Sequence, residues 1–330
     1  MQLFYLLSRL DDHFVELINV ETAMQDSAIE ENNAMKRYPA RLHVLMAQQA
    51  PYAVVIRRGP AKAVATVGWN RKNDSFVLGQ WLLGRIYERR SDLSPDGKNL
   101  IYFARKERRA DPLMSSWTAI SRAPYLKADG FWPRASCWNG GGLFLSNYEY
   151  WLNGGWDCSP FTADRVRTPA GLKYDANYPS DAYFGGECPG VYYLRLQRDG
   201  WIMVACDSHR RKLDGEWKFH RLNAETLPSQ VGAVFEKRLP GGWILRKLAY
   251  ATCSRPGRGC YFDEHELENA ELDELLDCSP WEWADLDGDR LVWATGGSIY
   301  AGHMSGAGLS EQRRLFDFND MRFEALAAPY

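Results

Sequence analysis

Arg85-Ile-Tyr-Glu-Arg-Arg-Ser-Asp-Leu-Ser-Pro-Asp-Gly-Lys-Asn-Leu-Ile-Tyr-Phe-Ala-Arg-Lys106 reads as a strand, a tight turn and a second strand. Pro95 presets φ for the first turn position, Asp96 can bond its own backbone, and Gly97 accepts a positive φ. The following run, Leu100-Ile-Tyr-Phe-Ala104, is apolar at consecutive positions. A strand with two apolar faces belongs between neighbouring sheets, which is what the radial packing of four-stranded sheets in a propeller demands.

Similar turn–strand units recur on both sides of this stretch. Arg198-Asp-Gly200 precedes Trp201-Ile-Met-Val-Ala205, Leu239-Pro-Gly-Gly242 precedes Trp243-Ile-Leu245, and Asp285-Leu-Asp-Gly-Asp289 precedes Arg290-Leu-Val-Trp-Ala294. The 330 residues contain 13 Trp and 28 Gly, a composition of many short strands joined by tight turns. About twenty strands follow residue 40; at roughly four per blade they predict an all-β fold, a single β-propeller of five blades, with six as the alternative. Residues 41–330 form this domain, closed by pairing of the N- and C-terminal strands, notably Arg313–Phe318 with strands around Arg41–Ile56. Residues 1–40 form an extension packed on it. The capping-box pattern Ser27-Ala-Ile-Glu30 places a short helical insertion at 21–37. A short acidic surface helix is predicted over Asp263–Asp277, where Leu267, Leu272, Leu275 and Leu276 could share a side.

Four segments in order, Ala53-Val-Val-Ile-Arg-Arg-Gly-Pro60, the Tyr87–Gly97 stretch, Gly140-Gly-Gly-Leu-Phe144 and Phe316-Asp-Phe-Asn-Asp-Met-Arg-Phe-Glu324, are together similar to a family of uncharacterised bacterial β-propeller-like proteins. The Ser-Pro-Asp-Gly turn alone also resembles those of TolB-like and WD-type propellers. The resemblance spans the chain from about residue 41 onward. It implies a fold and supplies neither an activity nor catalytic residues.

The formal net charge of −2 argues against a protein whose main task is gripping nucleic acid or an anionic membrane. The charge is nonetheless uneven. Arg85–Arg109 carries eight basic against four acidic residues, and Cys260–Arg290 twelve acidic against one basic. Seven scattered cysteines without a CxxC predict reduced thiols and a cytoplasmic protein. No window is apolar enough for a membrane span.

No nucleophile elbow, P-loop or paired metal-ligand motif appears. Asp285, Asp287 and Asp289 fit a hairpin turn better than a calcium loop. Cys253, Cys260, Asp263 and His265 lack the paired spacing of structural zinc, and no metal or cofactor is expected. The Gly154–Gly190 region is long, loop-like and rich in aromatics. Exposed aromatics beside glycines and charges are common anchors of binding surfaces. Trp138, Trp156, Asp157, Tyr174, Tyr178, Tyr183, Phe184 and Glu187 are therefore the expected binding residues. They suit a non-enzymatic interaction platform for another protein, or for a small ligand. The alternative is a hydrolase or lyase acting on a glycan or small polar substrate at the mouth of a central channel.

Overall fold

Among the described residues, five sheets follow one another along the chain, each completed before the next begins. The computed structural model describes residues 38–59, 62–106, 115–134, 136–154, 165–179, 182–251 and 259–330. The helical insertion at 21–37 and the extension that contains it lie outside the described residues, as do Trp156 and Asp157. Sheet one is a meander of β1 (Arg41–Met46), β2 (Tyr52–Arg58), β3 (Ala63–Asn70) and β4 (Ser75–Leu83). Sheet two holds β5 (Arg85–Ile86), β6 (Asp92–Leu93), β7 (Asn99–Arg105), β8 (Ser116–Arg122) and β9 (Ala128–Arg134), with β5 and β6 both paired to β7. Sheet three holds β10 (Gly142–Phe144), β11 (Glu149–Leu152) and β12 (Lys173–Tyr174), the last pair parallel.

Sheet four is the largest: β13 (Ala182–Tyr183), β14 (Ile202–Leu213), β15 (Glu216–Leu222), β16 (Val231–Arg238), β17 (Ile244–Tyr250), β18 (Phe262–Asn269) and β19 (Glu274–Asp277). Between β13 and β14 runs helix α1 (Cys188–Arg198). Sheet five is the meander β20 (Trp283–Asp287), β21 (Arg290–Thr295), β22 (Ser298–Ser305) and β23 (Gly308–Asp317). The protein is thus all-β in class, built of successive and almost wholly antiparallel sheets.

The two-residue period of a strand explains how the sheets pack. On β2, Ala53 and Val55 face one way and Val54 and Ile56 the other, and all four are buried. Ala53 and Val55 join Val67 and Trp69 in a core shared with sheet five, through Val292, Ala294, Ile299 and Ala301. Val54 and Ile56 join a core shared with sheet two, through Leu100, Tyr102 and Ala119. The opposite face of sheet two, at Ile101, Ile120 and Trp132, packs on Phe144, Tyr150 and Leu152 of sheet three. The largest core then joins sheet three, α1, sheet four and sheet five. Each fully buried Val, Leu, Ile or Phe among them contributes about 1.5–3 kcal/mol of transfer free energy.

Two expectations need correction. The predicted acidic helix is a β-hairpin, β18 and β19, joined around Asp273 at φ 53°. Along β18, Asp263, His265, Leu267 and Asn269 are buried while Glu264, Glu266 and Glu268 are only half-buried, a two-residue alternation that outweighs the helical spacing of the leucines. Among the described residues, the expected pairing of Arg313–Phe318 with strands around Arg41–Ile56 is not seen; β23 pairs with β22 and β1 with β2. The first and last sheets meet instead through their shared core and through side chains. The Ala40 amide donates to Asn319 Oδ1 at 2.9 Å, and Arg57 Nε donates to the Phe318 carbonyl at 3.2 Å.

Beyond β23, residues 318–330 cross sheet one and reach sheet two. Phe323 lies 6.0 Å from the Trp81 ring, Gln80 Nε2 donates to the Leu326 carbonyl at 2.8 Å, and the Tyr330 hydroxyl donates to the Lys127 carbonyl at 2.8 Å. The extended tail leaves sheet five and straps sheets one and two.

Gly141 shows why the Gly-rich stretch is needed. Its φ is +78°, and a Cβ there would stand 2.0 Å from the Arg90 carbonyl oxygen. Gly141→Ala therefore combines left-handed backbone strain of about 1–3 kcal/mol with a backbone clash. The urea midpoint should fall with an unchanged slope. A variant as stable as the parent would refute this placement.

Candidate active site

Helix α1 is the element that organises the site. Pro189 sits in its first turn, and Gly200 follows its end at φ +85°, the usual punctuation of a helix. The sequence reading assigned no helix to Cys188–Arg198. Tyr192, Arg195, Leu196 and Asp199 follow the i, i+3, i+4, i+7 spacing of one helical face, and all four line a single cleft. Opposite them stand His43 from β1, Asp92 from β6, Lys247 from β17, and Trp283 and Asp285 from β20. The internal space is about 20 Å³, above the roughly 10–15 Å³ needed for one water and far below that of a sugar ring.

Three carboxylates line this space, and each is held differently. Asp92 is gripped by Arg198 through two bonds of 2.8 and 2.6 Å, and its Oδ2 also accepts from the Phe144 amide at 2.7 Å. Asp285 Oδ1 accepts from Lys237 Nζ at 2.6 Å and the Leu286 amide at 2.7 Å, while its Oδ2 accepts only from Trp201 Nε1 at 3.2 Å. Asp199 accepts one bond, on Oδ1, from Arg198 Nε at 2.9 Å. Burial raises the Asp199 carboxyl above its ordinary value against the pull of Arg198, and the nearby Asp92 adds to the rise. The carboxyls thus diverge in environment, a pattern that separates acid from base.

The cations are equally distinct. Lys247 is 1% exposed; Leu245 and Ala249 share its inward face of β17, while Arg246 points the other way into Glu236, Glu266 and Glu268. Its ammonium lies 4.5 Å from the Trp201 ring centroid and 3.4 Å from the Tyr192 hydroxyl. Burial lowers its pKa to about 8, with Asp263 and Asp285 opposing the fall. Arg195 donates to the Glu88 carbonyl at 3.2 Å, to the Ser91 carbonyl, and to His43 Nε2 at 2.7 Å. His43 is buried and its pKa lies well below the usual value, by desolvation and then by Arg195. It is the neutral acceptor of that bond.

Behind this shell lies a buried pair. Arg89 Nη2 donates to Asp263 Oδ1 at 2.6 Å, and the Tyr192 hydroxyl donates to Asp263 Oδ2 at 2.6 Å. Burial opposes ionisation of Asp263, but Arg89, Lys247 and the Tyr192 bond overcome it and hold the carboxyl below its ordinary value. His265, also buried, is neutral, its pKa lowered by burial to about 3, with Nδ1 donating to the Trp281 carbonyl at 3.0 Å.

The residues expected from sequence lie elsewhere. Tyr174 packs on Tyr150 at 5.7 Å, Tyr178 on Trp151 at 5.7 Å, and buried Phe184 between Tyr193 and His209. Glu187 flanks the start of α1. Trp138 and Tyr183 are exposed. None of these six lines the cleft. Asp285–Asp289 does form the expected hairpin, with Gly288 at φ +66°, yet Asp285 also reaches the cleft, a role a turn motif does not reveal. Among the described residues no cluster of three His, Cys, Asp or Glu side chains could hold a metal ion.

No protein-family model and no curated protein matches the sequence. Among solved structures, a GH43 endo-arabinanase from Bacillus licheniformis is 8% identical, over 86% of this chain and 95% of that one, at a TM-score of 0.27. An exo-1,5-α-L-arabinanase from a bovine ruminal metagenomic library is 10% identical, over 85% and 95%, at 0.26. An α-L-arabinanase of Cellvibrio cellulosa is 10% identical, over 83% and 96%, at 0.27. Neither an activity nor a residue role passes from them to this chain. The expectation of a non-enzymatic interaction platform on the aromatic loop is corrected by where the buried polar groups gather: the acid–base cluster lies in the cleft, away from those aromatics.

Proposed function

We propose that the five sheets are the five blades of a propeller and that the protein hydrolyses a glycan at its central cleft. What supports the propeller is the order of packing: one with two, two with three, three with four, four with five, and one with five. The observation that carries hydrolysis is the trio Asp92, Asp199 and Asp285 around a space sized for water.

Asp199 is the general acid. Burial favours its protonated form, and Oδ2 is free of the Arg198 bond. Asp285 is the base, since Oδ2 makes a single bond to Trp201 and has capacity to accept from a water. Asp92 is saturated by Arg198 and Phe144 and acts as a positioning residue. In the reaction Asp285 takes a proton from water as its oxygen bonds to the anomeric carbon. The glycosidic C–O bond breaks, and Asp199 gives its proton to the departing oxygen. The sugar ring stays at the cleft mouth, because the inner space does not admit it.

The test is incubation with a panel of neutral and uronate-bearing glycans in oxygen-labelled water. New reducing ends, each carrying one labelled oxygen, are expected. Release of unsaturated sugars without label would make the protein a lyase, and no release from any glycan would overturn the reading.

A further inference from the structure

Sheet four ends in two strands of opposite charge. At one end is the hairpin of β14 and β15, where residues 208–222 hold five basic side chains against two acidic. At the other is the hairpin of β18 and β19, where residues 263–277 hold eight acidic side chains and no lysine or arginine. Among the described residues β15 pairs only with β14, and β19 only with β18, so both are edge strands. Natural sheets blunt such edges with charge, proline or a bulge. These two also expose large apolar groups. Phe219 is 80% exposed and Leu275 60%, and Trp217 and Leu276 are exposed as well. Cross-strand partners share a face: Arg210 stands opposite Phe219, its guanidinium 5.7 Å from that ring, and Lys212 stands opposite Trp217.

The two edges match in spacing as well as in sign. Lys218 and Arg221 are three positions apart on β15, and Glu274 and Asp277 are three apart on β19. Laid side by side in either direction, the strands set each cation against a carboxylate and Phe219 against a leucine. The present partners of the two cations are local and exposed, Glu216 at 3.5 Å and Asp207 at 2.9 Å, and pairs of that kind contribute little.

We propose that β15 of one copy of this chain adds to β19 of a second copy, so that sheet four continues from molecule to molecule. Main-chain bonds supply the affinity, and the alternating side chains fix the register. The contact is head-to-tail: a joined pair still presents one basic and one acidic edge, and it grows into an open chain or closes into a ring. Opposite charges steer the encounter, so association weakens as salt is added. The contact is independent of the chemistry of the cleft.

Sedimentation velocity of the full chain over a range of concentrations should show species larger than a monomer at low salt, retreating toward the monomer at high salt. Lys218→Glu/Arg221→Glu makes both edges acidic, and Glu274→Lys/Asp277→Lys makes both basic. Each variant alone should be monomeric. Mixed in equal amounts they should associate again, because the acidic edge of one meets the basic edge of the other. That recovery also shows that both variants are folded. A parent that stays monomeric at every concentration, single variants that assemble as the parent does, or a mixture that stays monomeric would each overturn the contact. So would a monomeric parent that binds a single-stranded oligonucleotide with quenching of tryptophan fluorescence that Trp217→Ala removes, since Trp217 and Phe219 would then be stacking platforms for bases.

Discussion

Asp199→Asn should lower the rate of the proposed glycan cleavage by about 10²–10⁴-fold, the usual contribution of a positioned general acid. The amide keeps the shape of the carboxyl and can still accept from Arg198 Nε, so the fold is retained. It has no proton to give to the leaving oxygen. The pH profile distinguishes this loss from a structural one. Burial and Asp92 raise the proton affinity of Asp199, so the acid form persists above the ordinary carboxylate range and cleavage falls only as pH rises through the raised value. In Asp199→Asn that alkaline limb disappears with the activity. Asp285→Asn should lose a comparable factor on the other side of the reaction, because the amide cannot take a proton from water. If Asp199→Asn keeps its rate on every glycan that the parent cleaves, Asp199 is not the acid.

The largest effect on stability is expected at Asp263. It is fully enclosed between Arg89 and Tyr192, with bonds of 2.6 Å to each. Asp263→Ala leaves a guanidinium in the interior without its carboxylate, which costs about 3–5 kcal/mol. It also deprives the Tyr192 hydroxyl of its acceptor and raises the penalty on Lys247, whose charge Asp263 supports. The double variant Asp263→Ala/Arg89→Met should recover part of the loss, because the stranded charge is gone. Urea unfolding of the single and double variants measures both terms, and single-variant stability within about 1 kcal/mol of the parent would contradict the pair. The linkage has a definite sign. Asp263 has a lowered pKa in the folded state, so its contribution is complete above about pH 4, the unfolded carboxyl range, and is lost as pH falls below it.

Much of the scaffold was legible because its signals are local. The Pro95-Asp-Gly97 turn forms as its residues dictate: Gly97 stands at φ +76°, its amide donates to the Ser94 carbonyl at 2.8 Å, and Asp96 accepts from the Ser94 hydroxyl at 2.7 Å. Leu100–Ala104 is buried on both faces for the reason its composition implied. The local rules also misled. The leucines of 267–276 suggested a helix, but pairing of β18 with β17 across seven residues from Ile244 to Tyr250 decides the segment.

The site was less legible because no single segment contains it. Asp92 sits five residues before a turn glycine, Asp199 beside another, and Asp285 at the edge of a hairpin. Each has a sufficient local explanation, and their convergence belongs to the packing of sheets far apart in the chain. One signal was available: Lys247 is a lone cation on the inward face of an apolar strand, flanked at alternate positions by Leu245 and Ala249. A lysine at such a position requires a reason that strand chemistry does not supply.

The strap of residues 318–330 has a consequence for how the molecule comes into being. Synthesis proceeds from β1 toward the strap, so the ribosome releases the face of sheet one carrying Val55, Val67 and Trp69 long before the residues that cover it exist. That face must wait through the making of four further sheets, with its apolar surface open to chaperones or to other nascent chains. The order of manufacture and the order of locking run opposite ways. The segment from Phe318 to Tyr330, made after all five sheets, is the one that fastens sheets one and two.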